Sequence, residues 1–345
     1  MLSRRENFIE TIKGGKPDRF VKQFEFMSPD ALFADPFNAT NPMPFFPGDD
    51  DAVDLWGVTW SFPAYVPGAF PVQDEAHLVL KDITQWESYV KAPSLEFPDE
   101  VWEEARKAYD SVDRKEFFAG PMMSPGVFER LHTLIKIEDV LLAFYMEPEV
   151  VHELIDYCVE WECAYVKQMA ENLHPDIVFH HDDWGSKLST FVSPDMFEEF
   201  FLKPYKKLYG CYKDNGFLYI VHHCDSYART LVPYMIEMGI DVWQGGVSTN
   251  DLSEIIAEYG PQLSIMSGVE TAEVDRPDWN AEMIQTAVDK VCRTLGGPYF
   301  IPCQTQGGPM STVPEVYGAI DEAIDAASAQ MFANRFAETR AVSAV

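Results

Sequence analysis

The sequence predicts an α/β chain folded as a (β/α)8 TIM barrel with an irregular, aromatic-rich N-terminal excursion. Three observations carry that expectation. From about residue 115 onwards, short β-rich runs alternate with longer amphipathic runs, the pattern of parallel strands joined by right-handed helical crossovers. No Gly-rich dinucleotide fingerprint follows any of these runs, which disfavours a doubly wound sheet. The ends of the β-rich runs are crowded with His, Cys, Asp, Gln and Glu, and barrel enzymes build their sites at strand C-termini.

Taken in order, the chain opens with a helix near residues 3–13 and a strand around FVKQFEF (20–26). Residues 28–75 are dense in Pro, Phe and Trp, and PMPFFPGDDD and WGVTWSFPAYVPGAFP within them cannot form a regular helix; their aromatic content favours an ordered lid over a pocket rather than a disordered stretch. EFFAGPMM (116–123) reads as a strand, followed by a helical region through VVHELIDYCVEWECAYVKQMAENL. Next come strand DIVFHHDDWG (176–185) and a helix opened by the Ser-Pro of SPDMF, since Pro is favoured at a first helical position. The remaining strands are LYIVHHC (218–224), DVWQGG (241–246), LSIMSGVE (263–270) and PYFIPCQ (298–304), each followed by an amphipathic run. No linker, repeat or low-complexity tract divides residues 1–345, so a single barrel domain is expected.

Composition narrows the function. The formal net charge is −30, from 56 acidic and 26 basic residues, and no Lys/Arg-rich run occurs, which argues against nucleic acid and acidic membranes as partners. No segment approaches the roughly 18 apolar residues of a membrane span, and the N-terminus has no apolar signal core, so the cytoplasm is the expected location. Six cysteines in such a chain do not read as a disulfide framework. Cys158, Cys163, Cys211 and Cys292 fall in helical stretches as packing or surface residues; Cys224 and Cys303 stand at strand ends.

Strand alternation sorts those ends into faces. His222 and Cys224 are two apart and share one face, leaving His223 on the other as a core or ligand-supporting histidine. With Cys303 at another strand end, one imidazole and two thiolates make a tetrahedral zinc set with an open fourth position. The competing reading is that His222 and Cys224 only pack. In the same way His181 and Asp183 share a face as pocket-lining acid/base or substrate-holding groups, with Asp182 on the other face. The competing role for such a strand-end Asp is to cap a helix.

Beyond the residue types, DIVFHHDDWGSKLSTFVSPDMFEEFFLKPYKKLYGCYKDNGFLYIVHHCDS, GIDVWQGG and IPCQTQGG resemble the uroporphyrinogen decarboxylase superfamily, and the first helix and PDR (17–19) are in keeping. One branch of that superfamily, the porphyrinogen decarboxylases, grips a polycarboxylate with an N-terminal Arg-rich motif. Here no arginine lies between Arg19 and Arg106, so that clamp is missing. The other branch comprises zinc methyltransferases serving corrinoid proteins, whose His-x-Cys and distant Cys ligands match His222, Cys224 and Cys303. Some members add a Glu where Gln244 stands, and Glu270 is the nearest carboxylate substitute. HHDDWGS, PYMIEMGID and the aromatic segment most resemble the methyltransferase I components of bacterial O-demethylases (veratrole or vanillate type). The resemblance implies an aromatic methyl ether as substrate, zinc as Lewis acid and the cobalamin of a partner corrinoid protein as methyl acceptor. The strand ends themselves lead us to expect Asp183, His181 and Asp182 as catalytic groups, and Gln244, Glu270, His223 and Met122 as substrate-binding ones. The alternatives are methyl transfer from a methylcorrinoid protein to a thiol such as coenzyme M, and a decarboxylase-like lyase.

Overall fold

A capping box starts the chain: Ser3 accepts the Glu6 N–H, and Glu6 returns a bond to the Ser3 N–H, which fixes the Arg4–Ile12 helix. The structure is a computed structural model that describes residues 1–342 apart from Tyr65, Pro67 and 310–312, and only the backbone of 334–342. Phe8 of this first helix is fully buried against Phe26 (ring centroids 4.1 Å apart) and Tyr219, closing the lower end of the barrel.

The aromatic excursion is ordered. Strands β1 (Ala52–Val53), β2 (Thr59–Ser61) and β3 (Phe70–Pro71) form a small antiparallel sheet. Asp54 organises its first turn by accepting the N–H groups of Trp56 and Val58 and the Trp60 indole N–H at 2.8–2.9 Å. The sheet docks on the helix layer. Trp56 meets Trp161 edge-on, the Arg130 guanidinium lies 4.6 Å over the Trp56 ring, and the Phe37 N–H donates to Tyr165.

Among the described residues, six parallel strands make the barrel wall in the order β4 (Met122–Met123), β5 (Ile177–His181), β6 (Tyr219–His223), β7 (Val242–Gln244), β8 (Ser264–Val269) and β9 (Phe300–Gln304). A seventh position is a parallel bridge between Met27 and Phe118. The strand expected at 20–26 is not formed: residues 23–26 turn, with Phe24 at φ 60° and its carbonyl accepting the Met27 N–H. Across the gap, Tyr317 donates to Gln23 O, and Val21, Phe26 and Met27 pack with Ile301 and Cys303.

Alternation along the wall separates inside from outside. Phe179, Val221, Val242, Met266 and Ile301 belong to one buried cluster that fills the barrel. Their neighbours Val178, Ile220, Trp243, Ile265 and Phe300 belong to the cluster shared with the outer helices. Both faces are buried, as expected of parallel strands under helices. Among the described residues, no helix is long and apolar enough to cross a membrane.

Candidate functional site

The barrel filling fixes which strand-end residues enter the mouth. Two residues beyond Phe179, Val221, Val242 and Ile301 stand His181, His223, Gln244 and Cys303, so these four share the interior face. Register places His181 beside His223 and His223 beside Gln244. The two imidazoles stack with centroids 4.2 Å apart.

Each imidazole is held by its Nδ1. His181 Nδ1 donates to Glu129 Oε2 at 2.8 Å, and His223 Nδ1 donates to Gln244 Oε1. Both Nε2 atoms are thereby left facing the mouth. His223 Nε2 lies 3.7 Å from Asp225 Oδ2 and 4.0 Å from Asp183 Oδ1, while Asp183 Oδ1 accepts the Asp225 N–H at 2.7 Å. Ligand atoms of His181, Asp183 and His223 all fall within 4.8 Å of one another. An imidazole whose far nitrogen is tied to a carboxylate or carbonyl oxygen is the usual form of a metal-ligating histidine, and the donors suit zinc. The residues therefore fit a bound ion.

The charges are arranged unevenly. Burial works against a charged His181, but the Glu129 charge and hydrogen bond, aided by Asp183 and Asp225, outweigh it and raise its pKa to about 10. Burial also opposes ionisation of Glu129, yet the His181 cation holds its carboxyl below the usual range. Asp183 is raised to about 7, first by burial and then by Asp225. Asp225 is lowered, because its hydrogen bond with His223 and that residue's charge overcome burial. Metal ligation requires neutral His181 and ionised Asp183, so zinc uptake by the metal-free chain releases protons. Affinity is therefore expected to rise by about tenfold per pH unit between about pH 7 and 9, and more steeply below. Competition with a chromophoric chelator across that range measures it; a flat profile would contradict the assignment.

The structure does not bring His222, Cys224 and Cys303 together. His222 and Cys224 do share a face, as expected, but it is the outer one. His222 is fully buried against the Lys203–Asp214 helix, its ring stacked 4.1 Å from Trp184 and its Nδ1 2.7 Å from the Tyr209 hydroxyl; its Nε2 has no hydrogen-bond partner among the described residues. Cys224 packs in the helix-side cluster, accepting the Trp184 N–H and lying 3.0 Å from Ser226 Oγ; burial pushes its thiol well up. Cys303 is inside the barrel, with Gln244 Nε2 3.8 Å from its sulfur, and its thiol is raised by burial. The reason is register: the residues filling the barrel are Phe179 and Val221, so His223 rather than His222 continues their face.

The other expected residues divide in the same way. Asp182 is fully buried and caps a helix, but the preceding one: its oxygens accept the Phe128 and Glu129 N–H groups at 2.9 and 2.8 Å, at the start of Val127–Leu134. Burial, and then the Glu129 charge, push its carboxyl well up. Gly126 permits this approach, since a Cβ there would stand 2.4 Å from Asp182 Cβ. Met122 packs against the barrel filling, paired with Phe179 one layer below His181. Glu270 accepts the Ser248 N–H at 2.6 Å and lies 3.4 Å from Lys187 Nζ. Gln244 orients His223. Sequence reasoning missed Glu129, which lies on a helix with no strand-end signal, and passed over Asp225 although His223-x-Asp225 has the same spacing as His222-x-Cys224.

A barrel with an imidazole–carboxylate cluster at the C-terminal ends of its strands defines a metal-competent barrel protein. The sequence pattern of the uroporphyrinogen decarboxylase (URO-D) family matches residues 64–315, and the chain belongs to that family. A comparison with curated protein sequences finds no match. Among solved structures, a methyltransferase from Methanosarcina mazei is similar at TM-score 0.64 and 13% identity, covering 94% of this chain and 99% of that one. The apo form of 3-keto-D-glucoside 4-epimerase, YcjR, from E. coli gives TM-score 0.39 and 9% identity over 66% of this chain and 84% of that one, too slight a likeness to carry weight.

Proposed function

We propose that the protein is a methyltransferase that moves the methyl group of an aromatic methyl ether to the cob(I)alamin of a corrinoid protein, with zinc held by His181, Asp183 and His223. The observation carrying this reading is the cluster itself, His181, His223, Glu129, Asp183 and Asp225 at the barrel mouth, with Arg19 and Arg130 engaged elsewhere. Arg19 pairs with Asp18 and Glu25, and Arg130 with Asp54. A mouth lined by Glu129, Asp183 and Asp225 repels the polycarboxylate that a porphyrinogen decarboxylase must grip, and suits a neutral ring. The fold likeness to a methyltransferase supports the same reading.

When bound, zinc supplies Lewis-acid stabilisation of the charge that develops on the ether oxygen. The remaining work falls to the chain. Glu129 and Gln244 hold the two imidazoles in their stacked pose. With Asp183 engaged as a ligand, Asp225, held ionised beside His223, steers a solvent proton to the phenolate oxygen. Met122 and Phe179, with Phe24 edge-on to Phe179, offer an apolar floor for the aromatic ring.

The test incubates the zinc-loaded chain with a reduced corrinoid protein and a panel of methoxyarenes, following methylcobalamin by absorbance. Zinc-dependent methylcobalamin from at least one ether is expected. If none yields it while thiols are methylated from methylcobalamin, the direction of transfer is reversed; if neither occurs, the methyltransferase reading falls.

A further inference from the structure

Away from the barrel mouth, the Pro148–Leu173 and Lys203–Asp214 helices pack side by side and bring two cysteines together. The Cys211 thiol reaches Cys163 O at 3.6 Å, so the two cysteines meet across the helix pair. Asn215 Nδ2 also stands 3.7 Å from Cys211 Sγ, adding a donor that favours the thiolate. Cys163 is buried, whereas Cys211 is partly exposed, so a reagent arriving from solvent meets Cys211 first. The neighbouring Cys163, aided by Lys167 against the effect of burial, brings Cys211 down to about 7. Cys211 in turn, with burial, pushes Cys163 up. The pair is thus a partly exposed cysteine of lowered pKa beside a buried one, the arrangement of an attacking and a resolving sulfur. Cys158 and Cys292 lack this character: both are buried, and burial pushes each up to about 12.

We infer that Cys163 and Cys211 form a redox modification site, a dithiol that a hydroperoxide converts into a disulfide between the two helices. The Cys211 thiolate attacks the outer peroxide oxygen; the O–O bond breaks, the sulfur becomes a sulfenic acid, and the leaving alkoxide or hydroxide takes a proton from solvent. Cys163 then attacks the Cys211 sulfur, the S–O bond breaks, and water leaves with the Cys163 proton. Overall, two thiols are oxidised to one disulfide while one hydroperoxide is reduced to an alcohol or water, plus a second water.

The position of the cross-link gives it a consequence. Cys163 follows Glu162 and Cys211 precedes Tyr212, and these neighbours already bond at 2.7 Å. Glu162 lies 3.2 Å from His180 Nε2, and Tyr209 sits between His180 and His222. Oxidation therefore ties the two helices where they brace the outer face of β5 and β6, directly behind His181 and His223.

The full chain treated with hydrogen peroxide, then unfolded, alkylated and digested, is expected to yield a Cys163–Cys211 cross-linked peptide that dithiothreitol reverses. Before oxidation, Cys211 is expected to alkylate about tenfold faster than Cys292 in the folded chain. In Cys163→Ser, peroxide is expected to stop at a Cys211 sulfenic acid that dimedone traps. In Cys211→Ser, Cys163 is expected to remain a thiol. Two free thiols after peroxide, over-oxidation of Cys211 beside an unreacted Cys163, or equal oxidation of Cys163 in Cys211→Ser would each overturn the assignment.

Discussion

Replacing His223 by alanine is expected to empty the metal site and lower methyl transfer by about a thousandfold or more, whereas Cys224→Ser leaves zinc content near that of the unaltered chain. The contrast follows from the face each residue occupies. His223 Nε2 looks into the mouth beside Asp183 and Asp225. Cys224 is fully buried on the helix side, where its sulfur meets the Trp184 N–H and Ser226. Gln244→Ala should have an intermediate effect, because it removes the acceptor that holds His223 Nδ1 without removing a ligand. Loss of such an orienting partner typically weakens metal affinity by about 10- to 100-fold. Zinc per chain, measured by elemental analysis after dialysis, reads all three variants, and thermal melting shows whether each has folded. Zinc lost in Cys224→Ser but retained in His223→Ala would place the ion with His222 on the outer face and remove the proposed site.

Much of this arrangement was legible in the sequence, and the part that was not has a definite physical origin. Period-two alternation correctly separated His222 and Cys224 from His223, and His181 and Asp183 from Asp182. Alternation fixes which residues share a face but not which face is inward; in strands buried on both sides, apolar patterning gives no sign of it. Val221 and Ile220 are equally buried, and only the closed barrel shows that Val221 fills it. Glu129 was hidden for another reason. It reaches His181 from the helix after β4, across 52 residues of sequence, because the Asp182 cap sets that helix against the end of β5. The strand expected at 20–26 failed locally, where Phe24 adopts a positive φ and its carbonyl closes a turn on Met27.

Asp182→Ala is expected to lower stability by about 2–3 kcal/mol while leaving the three proposed metal ligands in place. Both carboxylate oxygens of Asp182 are used, each by one N–H of the first helical turn at Phe128 and Glu129. Alanine strands both donors in a fully buried position, where no water replaces the acceptor. For a chain of this size that corresponds to a fall in melting temperature of roughly 4–10 °C. Asp183→Asn should behave in the opposite way, losing zinc with little change in the melting temperature of the metal-free chain, because burial and the adjacent Asp225 already disfavour its charge. Gly126→Ala should reproduce the Asp182 phenotype, since the added Cβ would press on the same side chain. Secondary loss of metal affinity is expected in both, because the helix that drifts carries Glu129, the partner of His181 Nδ1. Melting curves on chelated protein, paired with zinc titrations, separate the two kinds of residue. If Asp183→Asn proves the more destabilised and Asp182→Ala melts like the unaltered chain, the cap and the ligand have been assigned the wrong way round.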